Sequence, residues 1–290
     1  MLNMKRAVHF LTACLLLPAT ASAIEPVNLE RLASSVFRIE ATDRYGRLNA
    51  GSGVMVAPHT LVTSCHVVLN ARDIGIASAT GRMSARVIRA HTEHDLCLLD
   101  APGLDGAAVT MGNTADMRAG AAITAVGYPA GAELTLSHGR IEGLHTYRGA
   151  GRVVQGSAFF SPGTSGGGLF DNSGQLIGIL TFKLRASGPY HFAVPAEWVK
   201  SLVHDVSGTA QAFTDKPFWQ HTDERQPVFV RAASLSAEGD CVALNALAAQ
   251  RLAREPRNPE ALFMAERAQL CNTAPVEHTP WKKWLTALRQ

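Results

Sequence analysis

The chain has 290 residues, 47% of them hydrophobic and 18% charged, with a formal net charge of +3. That length has room for one large domain, or a mid-sized domain with an appendage, and the apolar content is enough to bury a sizeable core. Acids and bases are mixed along the chain, with no basic run and no basic patch interleaved with aromatics, which argues against a nucleic-acid partner.

The first residues, Met1 to Arg6, carry Lys5 and Arg6, and a largely apolar run follows from Ala7 to Leu17. Ala21-Ser22-Ala23 then supplies small residues at the right places for a signal-peptide cleavage site. The apolar run is too short for a permanent span. Leu11-Thr-Ala-Cys14 resembles a lipoprotein cleavage box, but Cys14 lies inside the apolar run with Leu15 to Leu17 after it. Cleavage after Ala23 is the favoured reading, giving a signal peptide over 1–23 and an exported, soluble mature chain from near Ile24. Export to the periplasm or the exterior places Cys65, Cys97, Cys241 and Cys271 in an oxidising compartment. No cofactor is expected, and no cysteine pair has the close spacing of a zinc site.

From Ala33 to about Val194 short β-rich runs alternate with glycine, proline and Asn/Asp turns. Candidate strands are Val36–Glu40, Gly53–Ala57, Thr60–Thr63, Ala85–Arg89 and Leu96–Leu99. A second group holds Ala122–Val126, Leu134–Leu136, Arg152–Val154, Leu176–Leu180 and His191–Val194. Many short strands at close spacing predict a barrel or sandwich. The two groups are separated near Gly112 to Gly120, which suggests two small β-barrels side by side.

After about Asp205 alanine, leucine, glutamate and arginine take over. Ala243 to Arg254 places Leu244, Leu247, Ala248 and Leu252 on one helical face. Asn258-Pro259-Glu260 reads as a helix start, with a capping residue before a proline at the first helical position. Ala261 to Leu270 is the helix it begins. Pro280 to Leu288 suits a third helix, and one more short helix is expected near Pro217 to His221. The division is therefore 24–205 for the two-barrel domain, 206–240 for a partly helical linker and 241–290 for a helical hairpin region. Cys241 and Cys271 are equidistant from Pro256 in the turn, so an antiparallel hairpin would bring them together in a disulfide. Two unpaired core cysteines are the alternative.

The stretch most suggestive of chemistry is Ser161-Pro-Gly-Thr-Ser-Gly-Gly-Gly-Leu-Phe170. Its glycines permit a tight backbone that can aim the N–H groups of Gly163 and Ser165 into one small space. Such stretches also occur as plain turns. A serine nucleophile needs an imidazole to take its proton and a carboxylate to hold that imidazole. His66 ends a strand–turn–strand unit, and Asp95 heads the apolar run Leu96–Leu99, where a carboxylate is costly without a partner.

Together these segments resemble the trypsin-like serine proteases, in particular the bacterial HtrA-type branch. The resemblance covers roughly Val36 to Trp198. It rests on Gly51-Ser-Gly-Val54, Thr63-Ser-Cys-His-Val-Val68, Asp95-Leu-Cys-Leu-Leu99, Ala125-Val-Gly-Tyr-Pro129, Ser137-His-Gly-Arg-Ile141, Pro162-Gly-Thr-Ser-Gly-Gly167 and Phe192-Ala-Val-Pro195, in that order. It implies a mainly β fold of two six-stranded barrels, here followed by a small α-helical appendage. It makes Ser165 the nucleophile, His66 the base and then acid, Asp95 the orienting carboxylate, and Gly163 with Ser165 the oxyanion hole. Thr181 matches a position whose hydroxyl supports the aspartate. Because the triad would bring their segments together, Cys65 and Cys97 become a disulfide candidate, two buried thiols being the alternative.

Thr164 stands where digestive-type members carry aspartate, which leaves a freed N-terminal amine without a partner and predicts no activation cleavage beyond signal removal. Phe159 and Phe160, with Thr181, Phe182 and Lys183 as a wall, are expected to bind the substrate side chain, or else to be ordinary barrel core. No acidic residue lies in the six positions before Ser165, so small or medium apolar side chains should fit best. Helices stand where relatives place a PDZ-like module, and they either dock on the barrels or bind a protein partner. A monomer acting on protein or peptide substrates, away from membranes once processed, is expected. Two rivals remain: a catalytically silent protease-like binding protein, and an α/β-hydrolase esterase reading of Gly163-Thr-Ser-Gly-Gly167, which needs a helix directly after the serine.

Overall fold

The computed structural model describes residues 26–78, 81–184, 190–205, 216–222 and 224–273. The expected signal peptide and the expected helix Pro280 to Leu288 lie outside these residues. Helix α1 (Pro26–Ala33) leads into strands β1 (Val36–Asp43), β2 (Leu48–Ala57) and β3 (Thr60–Ser64), the one-turn helix α2 (Cys65–Val68), and strands β4 (Ala71–Ser78), β5 (Gly81–His91) and β6 (Leu96–Asp100). A second set follows: β7 (Ala122–Gly127), β8 (Thr135–Thr146), β9 (Arg152–Gly156), β10 (Gly168–Asp171), β11 (Leu176–Lys183) and β12 (His191–Pro195). Helices α3 (Ala196–His204), α4 (Val228–Glu238), α5 (Cys241–Arg254) and α6 (Pro259–Thr273) complete the described chain.

The strands close into two six-stranded barrels, β1-β2-β3-β6-β5-β4 and β7-β8-β9-β12-β11-β10. The two orders are the same when each barrel is counted from its own first strand, so one topology is used twice. Closure gives each described strand a neighbour on both sides, although β11 runs on past the last residue at which β10 pairs with it, Ile179.

Period-two alternation explains why some of these strands are apolar on both faces. In β6, Cys97 and Leu99 fill the first barrel with Ile39, Met55, Leu61 and Ile76. Leu96 and Leu98 turn the other way, into a seam shared with Val126, Phe170, Ile179 and Phe192 of the second barrel. The second barrel has the same arrangement: Ala193 faces its interior with Ile123, Leu169 and Ile177, while Phe192 and Val194 face the seam. The apolar run Leu96–Leu99 is thus a strand buried on both sides.

The helices after the barrels are docked rather than free. Glu260 accepts a hydrogen bond from the Thr146 backbone N–H at 2.8 Å, Arg267 pairs with Glu142 at 3.3 Å, and the Tyr190 and Ser236 hydroxyls are 2.8 Å apart. Phe229 and Val230 of α4 enter the seam cluster itself. The expected helix start at Asn258 is present, its Oδ1 accepting from the Ala261 N–H at 3.0 Å. Cys241 and Cys271 are joined, with Cα atoms 5.7 Å apart.

Three features depart from the sequence reading. β4 and β10 were not among the expected strands. The stretch expected to be connector contains a full helix, α4, begun after Pro227 and stopped at Gly239, whose φ is 76°, so three helices pack together instead of two. The helix near Pro217 is a single 3-10 turn, Phe218–Gln220.

Candidate active site

His66 follows β3 and Asp95 precedes β6, and the two meet at one end of the first barrel because β3 and β6 are antiparallel neighbours. Ser64 pairs with Leu96 in register, and Thr63 with Cys97. One residue beyond each end, the Cys65 N–H donates to the Asp95 carbonyl at 3.0 Å. The Cys65–Cys97 disulfide, with Cα atoms 4.9 Å apart, ties the same two strand ends covalently. Asp95 has φ = 59°, an unusual left-handed backbone for a residue with a side chain, and its own N–H closes a turn onto the Thr92 carbonyl at 3.0 Å.

The Asp95 side chain is wholly buried and fully engaged. Oδ1 accepts from the His66 backbone N–H at 2.9 Å. Oδ2 lies 2.6 Å from His66 Nδ1 and accepts from the Thr181 hydroxyl at 2.6 Å. A carboxylate only accepts, so Nδ1 carries a proton and Nε2 is left as the free lone pair, or the second N–H if the ring is charged. A buried carboxyl group with three hydrogen-bond partners is fully paired, which offsets the cost of taking it out of water.

Ser165 sits on the second barrel, in the loop between β9 and β10. Its hydroxyl donates to the Thr181 carbonyl at 3.4 Å, a long and weak bond. Thr181 therefore touches both sides of the site, its hydroxyl on Asp95 and its carbonyl on Ser165. Gly163 has φ = 96°, and a Cβ there would come within 2.5 Å of the Ala130 nitrogen and 2.6 Å of the Tyr128 oxygen. Glycine is thus required by both backbone shape and space. Gly166, at φ = 84°, is equally confined, since a Cβ would lie 2.1 Å from the Ser52 oxygen. Among the described residues, neither the Gly163 nor the Ser165 N–H donates a backbone hydrogen bond.

Thr164 is buried, and both its N–H and its hydroxyl donate to the Ser161 carbonyl. The loop is closed locally, by a neutral side chain, at the position where the resemblance implies an aspartate in digestive-type members. Ser52 is the residue the sequence reading passed over. Its hydroxyl donates to the Gly163 carbonyl at 2.8 Å and accepts from the Tyr128 N–H at 2.9 Å. Its backbone N–H holds the Ser165 carbonyl at 2.8 Å. The signal was present in Gly51-Ser-Gly53, a buried serine flanked by glycines a strand ahead of His66.

The expected substrate-binding residues separate into two groups. Phe160 is buried and Phe159 is 60% exposed, and both rings lie edge-on to His191, with centroids at 4.9 and 5.3 Å. The Lys183 ammonium sits 5.2 Å over the Phe159 ring. Burial holds the His191 imidazole below its usual pKa, and the nearby Lys183 charge acts in the same direction. Phe182 lies elsewhere, stacked on Phe192 at 4.5 Å and on Trp219 at 5.1 Å, and the Thr181 hydroxyl is committed to Asp95. Among the described residues no group of His, Cys, Asp and Glu is placed to hold a metal ion, and no helix is long and apolar enough to cross a membrane.

The α/β-hydrolase reading fails on local structure. The residues after Ser165 enter strand β10, not a helix, and the sheet is antiparallel throughout both barrels.

Comparison with known proteins agrees with this geometry. Residues 51–179 match the family model for a trypsin-like peptidase domain. The chain is 34% identical over 156 residues to Protease Do-like 1, chloroplastic, of Arabidopsis thaliana, covering 49% of this chain and 36% of that protein. It is 31% identical over 172 residues to the serine protease Do-like HtrB of Bacillus subtilis, covering 54% and 37%. The chain thus spans well under half the length of these curated relatives. Among solved structures, the HtrA-type protease AlgW with tripeptide superposes with a TM-score of 0.55 at 29% identity, over 61% of each chain. The active form of the Rv3671c protease from M. tuberculosis shares the fold, with a TM-score of 0.58 at 20% identity over 70% of this chain and 96% of that one. Over residues 51–179, within the two barrels, the chain matches a trypsin-like peptidase domain, and it is similar in sequence and fold to HtrA-type serine proteases.

Proposed function

We propose that the protein is an exported serine endopeptidase that cleaves peptide bonds with His66, Asp95 and Ser165 as its triad. The observation that carries this reading is the buried carboxylate of Asp95, held by Thr181 and aimed at His66 Nδ1, beside a serine framed by obligatory glycines. With Nδ1–H on Asp95, Nε2 takes the Ser165 proton as Oγ attacks the scissile carbonyl. The Ser165 hydroxyl leaves its 3.4 Å bond to Thr181 at little cost, because so long a bond is weak. The N–H groups of Gly163 and Ser165 stabilise the oxyanion, and His66 returns its proton to the leaving amine. Water then repeats the sequence on the acyl-enzyme. These steps follow the general Ser-His-Asp scheme rather than anything peculiar to this chain.

The substrate is held as an added strand. β12 covers one edge of β11 as far as Lys183, whereas β10 pairs with the other edge only up to Ile179. Beyond Leu180 that edge carries no strand among the described residues and runs past Ser165, so an extended peptide pairs there. The side chain before the scissile bond enters the space of Phe159, Phe160 and His191. Export is favoured by the signal-like Met1–Ala23 segment, by the two disulfides and by relatives such as the probable periplasmic serine endoprotease DegP-like protein of Halomonas elongata. Cleavage at Ala23 and a monomeric state belong to the same reading.

Casein hydrolysis tests it. The wild-type protein should degrade casein and Ser165→Ala should not. Continued cleavage by Ser165→Ala would overturn the assignment.

A further inference from the structure

The segment that follows the second barrel returns to the active site. Phe218 is its anchor: wholly buried, its ring lies 4.8 Å from Tyr147 and about equally far from Trp198, Phe182 and Phe229, at 6.1, 6.0 and 6.1 Å. The Phe218 N–H donates to the Glu93 carbonyl at 3.0 Å. Glu93 belongs to the tight turn just before Asp95, and its carboxylate accepts from the Tyr147 hydroxyl and from Arg148, each at 2.8 Å. The 3-10 turn is therefore fixed to the element that carries the orienting carboxylate.

So anchored, the turn sets Trp219 beside the base. The indole lies edge-on to the His66 imidazole with centroids 5.8 Å apart and stacks on Phe182 at 5.1 Å. An edge-to-face pair at that separation is in contact, so no side chain fits between His66 and Trp219. The turn before Asp95 offers no comparable wall: His94 stacks on Trp198 and His91 instead, each at 3.8 Å.

We propose that Trp219 is a specificity-determining residue: its indole, with His66 and Phe182, closes the pocket for the residue immediately N-terminal to the one that supplies the scissile carbonyl. The inference rests on the peptidase reading above. Side chains of an extended strand alternate. With the scissile residue's side chain turned into the Phe159–Phe160–His191 space, its N-terminal neighbour turns toward His66 and meets the three-ring wall. Small side chains such as those of glycine, alanine and serine fit there, and leucine or phenylalanine do not.

The test uses the full-length protein and a series of peptidyl phosphonates, which react covalently with a catalytic serine. All share one residue at the reacting position, chosen from a peptide-library profile, and vary its N-terminal neighbour through Gly, Ala, Val, Leu and Phe. Wild-type protein should react with the Ala compound roughly tenfold or more faster than with the Leu compound, the order of discrimination that pocket size supplies. Trp219→Ala should lower that ratio by about tenfold, and Trp219→Phe should lie between. Because each ratio is taken within one variant, loss of active protein cancels, and Trp219→Leu replaces the alanine variant if that one does not fold. An unchanged ratio overturns the proposal, as does a uniform rise for every compound, which would mark the segment as a plug. If wild-type protein reacts with a small fluorophosphonate, either failure leaves the peptidase reading standing. If it does not react, that reading falls and the inference with it.

Discussion

Thr181→Val removes one of the three hydrogen-bond partners of the Asp95 carboxylate and leaves the β-branched shape in place. Thr181 is buried, so nothing from solvent replaces its bond to Asp95 Oδ2. A hydrogen bond to a charged acceptor contributes about 1.5–3 kcal/mol net. Asp95 keeps two donors, the His66 ring at 2.6 Å and the His66 backbone N–H at 2.9 Å, so it stays roughly in place. The loss should therefore appear first as stability, about 1.5–3 kcal/mol by chemical denaturation, with m unchanged. Catalysis should fall far less than in Asp95→Asn, for which the general triad template gives about 10⁴ in kcat. A drop of about tenfold or less in kcat, with KM unchanged, is expected on a peptide substrate. The Thr181 carbonyl, which holds the resting Ser165 hydroxyl, is untouched by the substitution. A denaturation midpoint equal to that of wild type would refute the reasoning, because it would mean that the Thr181–Asp95 bond is not made in the folded protein.

Other perturbations probe separate parts of the account. Gly163→Ala forces a Cβ into the backbone of Tyr128 and Ala130 at a positive φ, so the loop must shift; kcat should fall about 10²–10³-fold, as when an oxyanion donor is lost, and retention of full activity would argue against Gly163 as a donor. Removing Cys65 and Cys97 together by alanine opens a loop with a sequence separation of 32 and should cost about 3–4 kcal/mol in urea denaturation, a loss below about 1 kcal/mol being inconsistent with it. His145 is buried against Phe229 at 4.6 Å, with Gln155 on its Nε2 at 3.0 Å. Burial lowers its pKa to about 4, the Gln155 bond pulling weakly the other way. The unfolded chain takes up that proton near pH 6.5 and the folded chain does not, so stability is complete above pH 6.5. It is lost as pH falls toward 4, by about 3 kcal/mol from this group. His94, lowered by burial to about 3, adds in the same direction. Unfolding measured from pH 7 to 4 should show the decline and His145→Phe should flatten part of it; an identical slope in the variant would contradict the assignment.

The residues that bear on chemistry were legible because their sequence contexts are costly without a purpose. A carboxylate heading an apolar strand, as at Asp95, and three glycines after Ser165 each stand out against a barrel sequence. The barrels were legible from alternation, yet two strands were not. In Ala71–Ser78 only the middle residues are buried, and Arg72, Asp73 and Gly75 interrupt the pattern. Gly168–Asp171 is four residues long and lies between a glycine run and a turn. Helix α4 begins Val-Phe-Val, which reads as strand; burial of Phe229 and Val230 in the seam overrides that preference. The sequence groups Phe182 with Lys183 on one surface, whereas alternation turns Phe182 away from Lys183 and onto the ring stack of Phe192 and Trp219. Trp219 beside His66 had no local signature, since the contact joins positions 153 residues apart through the anchoring of Phe218.

The central claim, that Ser165 is a nucleophile activated by His66, is tested most directly by fluorophosphonate labelling followed by peptide mapping. The wild-type protein should gain one phosphonyl group, carried on the peptide that contains Ser165, and Ser165→Ala and His66→Ala should gain none. A folded wild-type protein that stays unlabelled, or a label on any residue other than Ser165, would contradict the account.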